Sequence, residues 1–178
     1  MKLSEHFTIK EIFWNPQDGW TWSGDERLRM VQIELAKMIV QKLEMIRARV
    51  GLPILITSGC RNIDTMARAR RDRWVPQPSY HSDHFYMGKF WPLGSGAVDF
   101  VPLKVSGKDL DRVLEDIFIF VRNTIPREEV GQCIIYRKER FIHISNGYEQ
   151  VFGQDIAKWM RKQKVQFLEY VQGKYRPV

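Results

Sequence analysis

The sequence predicts an α+β fold in which a small, mainly antiparallel sheet is flanked by helices. From residue 25 to residue 50, apolar residues recur mostly at steps of three and four, which predicts a long amphipathic helix closed by Gly51. The short branched run Ile54–Thr57 follows a proline and predicts a buried strand. Two further strand-like runs, 132–136 and 140–145, are separated by three polar residues, which predicts a hairpin and hence an antiparallel pair.

The remaining elements follow from local capping and breaking signals. A short N-terminal helix is expected from Ser4, whose hydroxyl can cap it, to the turn before Pro16. Residues 62–78 are expected to form a short helix and then a proline-rich loop. The aromatic, glycine-containing region 79–95 is expected to be an irregular functional loop. A strand over 97–103 and a helix over 108–124 complete the part before the hairpin.

The length predicts one domain over residues 1–178. A chain of 178 residues can bury roughly 70% of the surface that its unfolded form exposes. Its hydrophobic content of 44% and charged content of 28% are those of a globular protein. Within this domain, residues 1–150 are predicted to form the core. A C-terminal helical extension over 151–178 is predicted from the apolar residues Ile156, Trp159, Met160, Val165, Phe167, Leu168 and Val171.

Targeting signals and cysteines bear on where the protein works. No apolar run approaches the ~18 to 20 residues that a membrane span needs, and the N-terminus lacks the apolar centre of a secretory signal. The protein as synthesised is therefore expected in the cytoplasm. Cys60 and Cys133 are expected to be reduced structural thiols, so no disulfide is predicted.

The charge balance favours an anionic partner. Lys and Arg number 28 against 21 Asp and Glu, which gives a net charge of +7. Nucleic acid, an acidic surface and the anionic material of a cell wall would all fit. The charges are spread along the chain, however, apart from one cluster at Arg68, Arg70, Arg71 and Arg73. A solvated surface explains them as well, and nucleic acid is not expected as the partner.

Three residues form a candidate metal site: His84, Asp99 and His143. Imidazole nitrogen and carboxylate oxygen are the ligands of catalytic zinc, which takes three from the protein and leaves a fourth position to water. Asp99 stands in an apolar strand and needs a partner or a metal if its side chain turns inward. Each histidine alone is more often a hydrogen-bonded structural residue, so the prediction depends on the three together. His6 lies far from them and is left out of the site.

The motifs around these residues resemble those of a known family. They are Ser82-Asp83-His84, Ala97-Val98-Asp99 and Phe141-Ile142-His143, together with the opening Ser4–Thr8 and the run Ile56–Arg61. In this order they resemble the M15 zinc peptidases, which cut peptides containing D-amino acids in bacterial cell walls. That family shares its fold with the hedgehog signalling domain. The resemblance extends to about residue 147.

The resemblance implies a zinc-dependent hydrolase of peptidoglycan. The expected activity is that of a D-Ala-D-Ala carboxypeptidase or an L-Ala-D-Glu endopeptidase, with Zn²⁺ held by His84, Asp99 and His143. Arg61 matches the family's arginine, which would stabilise the oxyanion formed on the attacked carbonyl. The missing secretory signal favours a phage-encoded lysin that is released by lysis, or a virion-associated wall enzyme.

The sequence also departs from the family pattern. His81 satisfies the Ser-x-His motif as well as His84 does, and His84 is preferred only because the residues after it continue like the family's. Fifteen positions separate His84 from Asp99, where the family has a short link. Ser95 stands where the family has the glycine of Gly-x-Ala-x-Asp.

The general base is the largest departure. The family commonly has an acidic residue three positions before the last histidine, and here that residue is Arg140. Glu139 is the candidate base, although adjacent residues of a strand face opposite ways. The alternative is a catalytically impaired protein that serves a phage particle as a structural or binding component. Its contacts would be the helical tail and an aromatic loop formed by Tyr80, Phe85, Tyr86, Phe90 and Trp91. The oligomeric state does not follow from the sequence.

Overall fold

The structure is a computed structural model, and it describes most of the chain. The described residues are 1–15, 18–62, 67–68, 71–72, 82–88, 94–164, 166–171 and 174–178. Most of the helix and loop predicted over 62–78 lies outside them. The alternative ligand His81 lies outside them as well.

The N-terminal helix α1 spans Ile9–Phe13 and begins later than predicted. Thr8 is its N-terminal cap, and the Glu11 carboxylate accepts hydrogen bonds from the backbone and hydroxyl of Thr8 in a capping box. The Ser4 hydroxyl instead donates to the carboxylate of Glu44 on the next helix. The prediction of a helix start at Ser4 is therefore wrong by four residues, since the hydroxyl chosen by the helix belongs to Thr8.

The long helix α2 spans Glu26–Val50, which confirms the prediction. The Asp25 carboxylate caps it by accepting a hydrogen bond from the amide of Leu28. Gly51 ends it with a φ of 66°, a left-handed conformation that glycine adopts at little cost. The face of α2 that enters the core carries Leu35, Ala36, Ile39, Val40, Leu43 and Ile46.

The strands of the described residues form a two-stranded ribbon and a six-stranded main sheet. The ribbon consists of β1 (Trp14–Asn15) and β2 (Gly19–Trp20). The main sheet consists of β3 (Ile54–Ser58), β4 (Ala97–Pro102), β5 (Val130–Tyr136), β6 (Phe141–Asn146), β7 (Phe167–Val171) and β8 (Lys174–Pro177), in the order β3-β4-β6-β5-β7-β8. All neighbouring strands in this order are antiparallel except the parallel pair β5 and β7. The predicted α+β class is confirmed.

Helices connect the strands, and two of them cover one face of the sheet. Helix α3 (Gly107–Thr124) leads from β4 towards β5, and α4 (Tyr148–Phe152) and α5 (Gln154–Gln163) lead from β6 to β7. The main core joins α2 and α3 to one set of alternating strand residues, namely Val98, Phe100, Cys133, Ile135, Ile142 and Ile144. The residues between them, including Asp99 and His143, project from the opposite face. The sheet thus separates the core from the candidate site.

The C-terminal segment is only partly helical, so the predicted helical extension over 151–178 needs correction. Helical structure ends at Gln163, and the following residues add β7 and β8 to the sheet. Phe167 of β7 is buried in the main core. This segment extends the sheet beyond β5.

The structure bears on two further predictions, which concern the cysteines and membrane-spanning helices. Cys60 and Cys133 are buried and free, as predicted, and burial raises the pKa of the Cys60 thiol to about 12. Such a thiol is protonated at neutral pH and serves as a small apolar side chain. Among the described residues, no helix combines the length and the apolar character of a membrane span.

Candidate metal centre

Two of the predicted ligands meet because their strands are paired neighbours. Asp99 of β4 is the register partner of His143 of β6, as expected for a hairpin strand lying beside the strand of Asp99. Directly opposite residues of an antiparallel pair point to the same face and lie within about 5.5 Å of each other. Both residues are buried. The Nδ1 atom of His143 lies 2.9 Å from Oδ1 of Asp99.

The third ligand, His84, arrives from a turn rather than from a strand. Its backbone carbonyl accepts a hydrogen bond from the amide of Arg61, and its Nδ1 lies 2.8 Å from the carbonyl oxygen of Gly59. Gly59 has to be a glycine, because a Cβ atom there would lie 2.2 Å from the carbonyl oxygen of Ile12. The segment after β3 therefore approaches α1 closely and places a carbonyl group beneath the imidazole of His84.

The distances among the three side chains suit a single metal ion. The Nε2 atom of His84 lies 3.2 Å from Oδ1 of Asp99, the same oxygen that faces His143. One donor atom from each residue lies within 4.8 Å of the other two. Zinc bonds of about 2.0 to 2.1 Å in a tetrahedral site place ligand atoms about 3.3 Å apart. This buried group could therefore hold a metal ion after small adjustments of its side chains.

The protonation of His84 supports the same conclusion. Its Nδ1 faces a carbonyl oxygen and its Nε2 faces a carboxylate oxygen, and both oxygens only accept hydrogen bonds. Without a cation, both nitrogens would have to carry protons. Burial lowers the pKa of His84, and the charge of Arg61 lowers it further, although Asp99 acts in the opposite direction. A neutral imidazole carries one ring proton, so one of its two nitrogens then faces an acceptor oxygen with a lone pair, and a cation bound between His84 and Asp99 would relieve that repulsion.

Asp99 itself is held in the charged form. Burial alone would raise the pKa of Asp99, but His84 and the hydrogen bonds from His143 and His84 hold it well below the usual range. A carboxylate that stays ionised in a buried place is a suitable metal ligand, because no proton has to be displaced when the metal binds.

Arg61, which the resemblance assigns to oxyanion stabilisation, lies at the edge of this group. Its Nη2 atom is 3.3 Å from Oδ2 of Asp99 and 3.2 Å from the hydroxyl of Ser58. The guanidinium therefore approaches the carboxylate oxygen that does not contact the histidines. It is 17% exposed, so it remains accessible from the solvent side.

Glu139 and Arg140 lie in the turn between β5 and β6 and are both exposed. Arg140 has a φ of 58° and binds the Asp111 carboxylate through two hydrogen bonds of 2.9 and 3.1 Å. Among the described residues, the group that could hold a metal ion does not include Glu139. The role of Glu139 as a general base therefore stays a prediction.

The loop between His84 and Asp99 differs from the predicted contact surface. Phe85 and Tyr86 are buried, and the Tyr86 hydroxyl donates to the carbonyl of Ala97. These two residues are therefore wrong as members of an exposed aromatic loop, because both are fully packed. The other members, Tyr80, Phe90 and Trp91, lie outside the described residues.

Ser95 occupies a tight place in the same loop. It is fully buried, and its carbonyl accepts a hydrogen bond from the Asn146 side chain. Its hydroxyl oxygen has no hydrogen-bond partner among the described atoms. The serine at this position is thus accommodated without exposing the strand that carries Asp99.

Two features of the surroundings of His84 were not predicted from the sequence. The first is the hydrogen bond between the Gly59 carbonyl and His84, for which the Ser58-Gly59 step after a strand was the available signal. The second is the surroundings of Asp83, the residue before His84.

Comparisons with models of protein families, with curated proteins and with solved structures yield no match.

Proposed function

We propose that this protein is a zinc-dependent peptidase that hydrolyses a peptide bond in bacterial peptidoglycan, with the fold and ligand set of the M15 family. The observation that carries the proposal is the environment of His84, whose two ring nitrogens both face acceptor oxygens in a buried place. A zinc ion beside Asp99 and His143 resolves that conflict. The Gly59 carbonyl then fixes the tautomer of His84, as outer hydrogen bonds do in zinc sites.

Bound zinc would lower the pKa of a water ligand towards about 7 and polarise a carbonyl group. The protein's own contributions follow from the positions of its side chains. Arg61 stands beside the ligand group and carries a positive charge. It would stabilise the negative charge that develops on the attacked carbonyl oxygen. Glu139 is proposed as the proton acceptor and has to reach the site from its exposed turn.

Two observations support peptidoglycan as the substrate class. The order of the motifs resembles that of a family that acts on wall peptides. The net charge of +7 would draw the protein towards the anionic wall. Within this class we propose a carboxypeptidase or an endopeptidase activity, in a protein that a phage delivers by lysis or carries in its particle.

A second candidate function is a binding or structural protein that has kept the metal centre but lost catalysis. The observation that favours it is Arg140, which stands where the family has its acidic residue and is ion-paired with Asp111. General-base help, typically worth 10²- to 10⁴-fold in rate, would then be missing.

The deciding experiment measures zinc and hydrolysis in the same preparation. The purified protein is expected to contain about one zinc per chain and to release new amino termini from peptidoglycan. A chelator should stop the release, and added zinc should restore it. The His143→Ala variant serves as the control and should lack both properties. Zinc without hydrolysis of walls of several chemotypes would support the binding protein, and absence of zinc would overturn the metal centre.

A further inference from the structure

Asp83, the residue before His84, is a second buried carboxylate with a different set of partners. Its side chain is 1% exposed. The ammonium group of Lys164 lies 2.7 Å from its Oδ1, and the Tyr148 hydroxyl donates to its Oδ2 at 2.8 Å. Both carboxylate oxygens therefore accept charge-assisted hydrogen bonds, which are among the strongest in proteins.

These partners come from the segment that follows the hairpin of the site. Tyr148 begins α4 and Lys164 follows the last residue of α5. A lysine at the C-terminal end of a helix is itself favoured by the helix dipole. The ammonium group of Lys164 also lies 5.8 Å from the ring centre of Tyr148, so the two partners of Asp83 support each other.

The turn that contains Asp83 is the one that presents His84. The amide of Phe85 donates to the carbonyl of Ser82, and the amide of Gly96 donates to the carbonyl of Asp83. The side chains of Asp83 and His84 thus anchor the same short piece of backbone to different parts of the molecule. Separating a buried ion pair leaves a buried charge without a partner, which is strongly unfavourable. The pair between Asp83 and Lys164 therefore restricts how far this backbone can shift or rotate.

We propose that Lys164 is a positioning residue of the metal centre, which acts through Asp83 to hold His84 in the orientation that binds the ion. This inference rests on the proposed zinc function. It makes the segment from Tyr148 to Lys164 part of the metal-binding unit, although no residue of that segment belongs to the ligand group. Residues that orient ligands in this way typically change metal affinity 10- to 100-fold when they are replaced.

The test compares Lys164→Met with Lys162→Met, which removes an exposed lysine of the same helix. Zinc dissociation constants are measured by competition with a chromophoric chelator, and the geometry of the site is followed by the visible absorption of the Co²⁺-substituted protein. Lys164→Met is expected to weaken zinc binding about 10- to 100-fold and to alter the Co²⁺ spectrum. Lys162→Met is expected to change neither, and Lys164→Arg should keep most of the affinity because it restores the charge.

Folding is controlled by circular dichroism of each metal-free variant. If Lys164→Met does not fold, the double variant Asp83→Asn with Lys164→Met decides, because it leaves no unpaired buried charge; it should bind zinc at least about tenfold more weakly than wild type. A folded variant with wild-type affinity and an unchanged Co²⁺ spectrum would overturn the positioning role while leaving the zinc function intact. A wild type without zinc affinity would overturn both.

Discussion

Asp83 and Asp99 are both buried carboxylates, yet their partners differ in kind. Asp83 meets an ammonium group and a hydroxyl, one on each oxygen, and all of these groups are satisfied. Asp99 shares one oxygen between two imidazoles and has Arg61 at 3.3 Å from the other. The first arrangement is complete without a ligand. In the second, two imidazole nitrogens converge on one oxygen, and this arrangement could hold a metal ion.

The difference shows how the same residue type can be structural in one place and functional in another. Burial would raise the pKa of both carboxyl groups, and in both cases their neighbours lower it instead. The two carboxylates differ in whether the side chains beside them could also bind a metal ion. The ammonium group of Lys164 only donates hydrogen bonds. His84 can bind a cation through the lone pair of Nε2 when its Nδ1 proton is donated to the carbonyl of Gly59.

The largest effect should follow from replacing Asp99, since both imidazoles of the proposed metal site face this carboxylate. Asp99→Asn is expected to weaken zinc binding by more than about 100-fold, beyond the range for residues outside the ligand set, and to abolish hydrolysis. Chelator competition measures the affinity. Asp109→Asn removes an exposed aspartate of α3 and should leave zinc binding unchanged. Equal affinity in Asp99→Asn and wild type would contradict the assignment.

A second effect concerns the proton acceptor, a role that neither buried aspartate can fill because each is held by its partners. Glu139→Gln is expected to keep its zinc but to lose about 10²- to 10⁴-fold in the rate of peptidoglycan hydrolysis. The measurement is release of amino termini under single-turnover conditions. Glu128→Gln, which changes an exposed glutamate before β5, is the matched control. An unchanged rate in Glu139→Gln would remove this residue from the mechanism.

A third effect concerns Arg61, which approaches the Asp99 oxygen that does not contact the histidines. Arg61→Gln should retain zinc and lose about 10²- to 10³-fold in rate, as expected when one group that stabilises an oxyanion is removed. Arg140→Gln is the matched arginine control, because Arg140 binds Asp111 in an exposed pair. If Arg61→Gln instead lost its zinc, Arg61 would be needed to hold Asp99 rather than to assist the reaction.

The smallest effect uses a buried lysine whose hydrogen-bond partners, unlike that of Lys164, are neutral oxygens. Lys42 donates to the Asn146 side chain and to the Met38 carbonyl, and burial lowers its pKa to about 8, although Glu129 acts in the opposite direction. Between pH 8 and 10.5 the unfolded chain binds more protons at this residue than the folded chain does. Its contribution to the free energy of unfolding therefore rises by about 3 kcal/mol across that interval.

The Lys42→Met variant isolates this contribution. Urea unfolding of the metal-free proteins at a series of pH values should show that wild type gains about 3 kcal/mol relative to Lys42→Met from pH 7 to pH 10.5. The lost hydrogen bond to Asn146 lowers the stability of the variant by an amount that does not depend on pH. A constant difference between the two proteins would show that Lys42 is not held in a desolvated place.

The parts of the site that lie on strands could be predicted from the sequence. Asp99 and His143 stand in apolar runs of strand length, and a three-residue polar link predicts the hairpin of β5 and β6. The other edge of β6 pairs with β4. Pairing of adjacent strands then places the two side chains together. The position of His84 depended instead on matching a motif across a link of fourteen residues, in which Gly94 lies against Phe85.

The C-terminal segment shows the opposite outcome. Phe167, Leu168 and Val171 are spaced in a way that fits one face of a helix as well as a short strand, and periodicity cannot separate the two over five residues. Residues 167–171 form a strand because they pair in parallel with the edge of β5. Asp83 was overlooked for a related reason, since its partner lies 81 positions further along the chain.

That separation sets the order in which the site can form. During synthesis, at about 5 to 20 residues per second, some 4 to 16 seconds pass between the addition of Asp83 and that of Lys164. During this interval the carboxylate of Asp83 has no ammonium partner, and β5 has no neighbour on the side that β7 will occupy. Such distant contacts are also the slow ones in folding. If Lys164 positions His84 as proposed, the site reaches its full affinity for a metal ion only after the C-terminal segment has packed against Asp83.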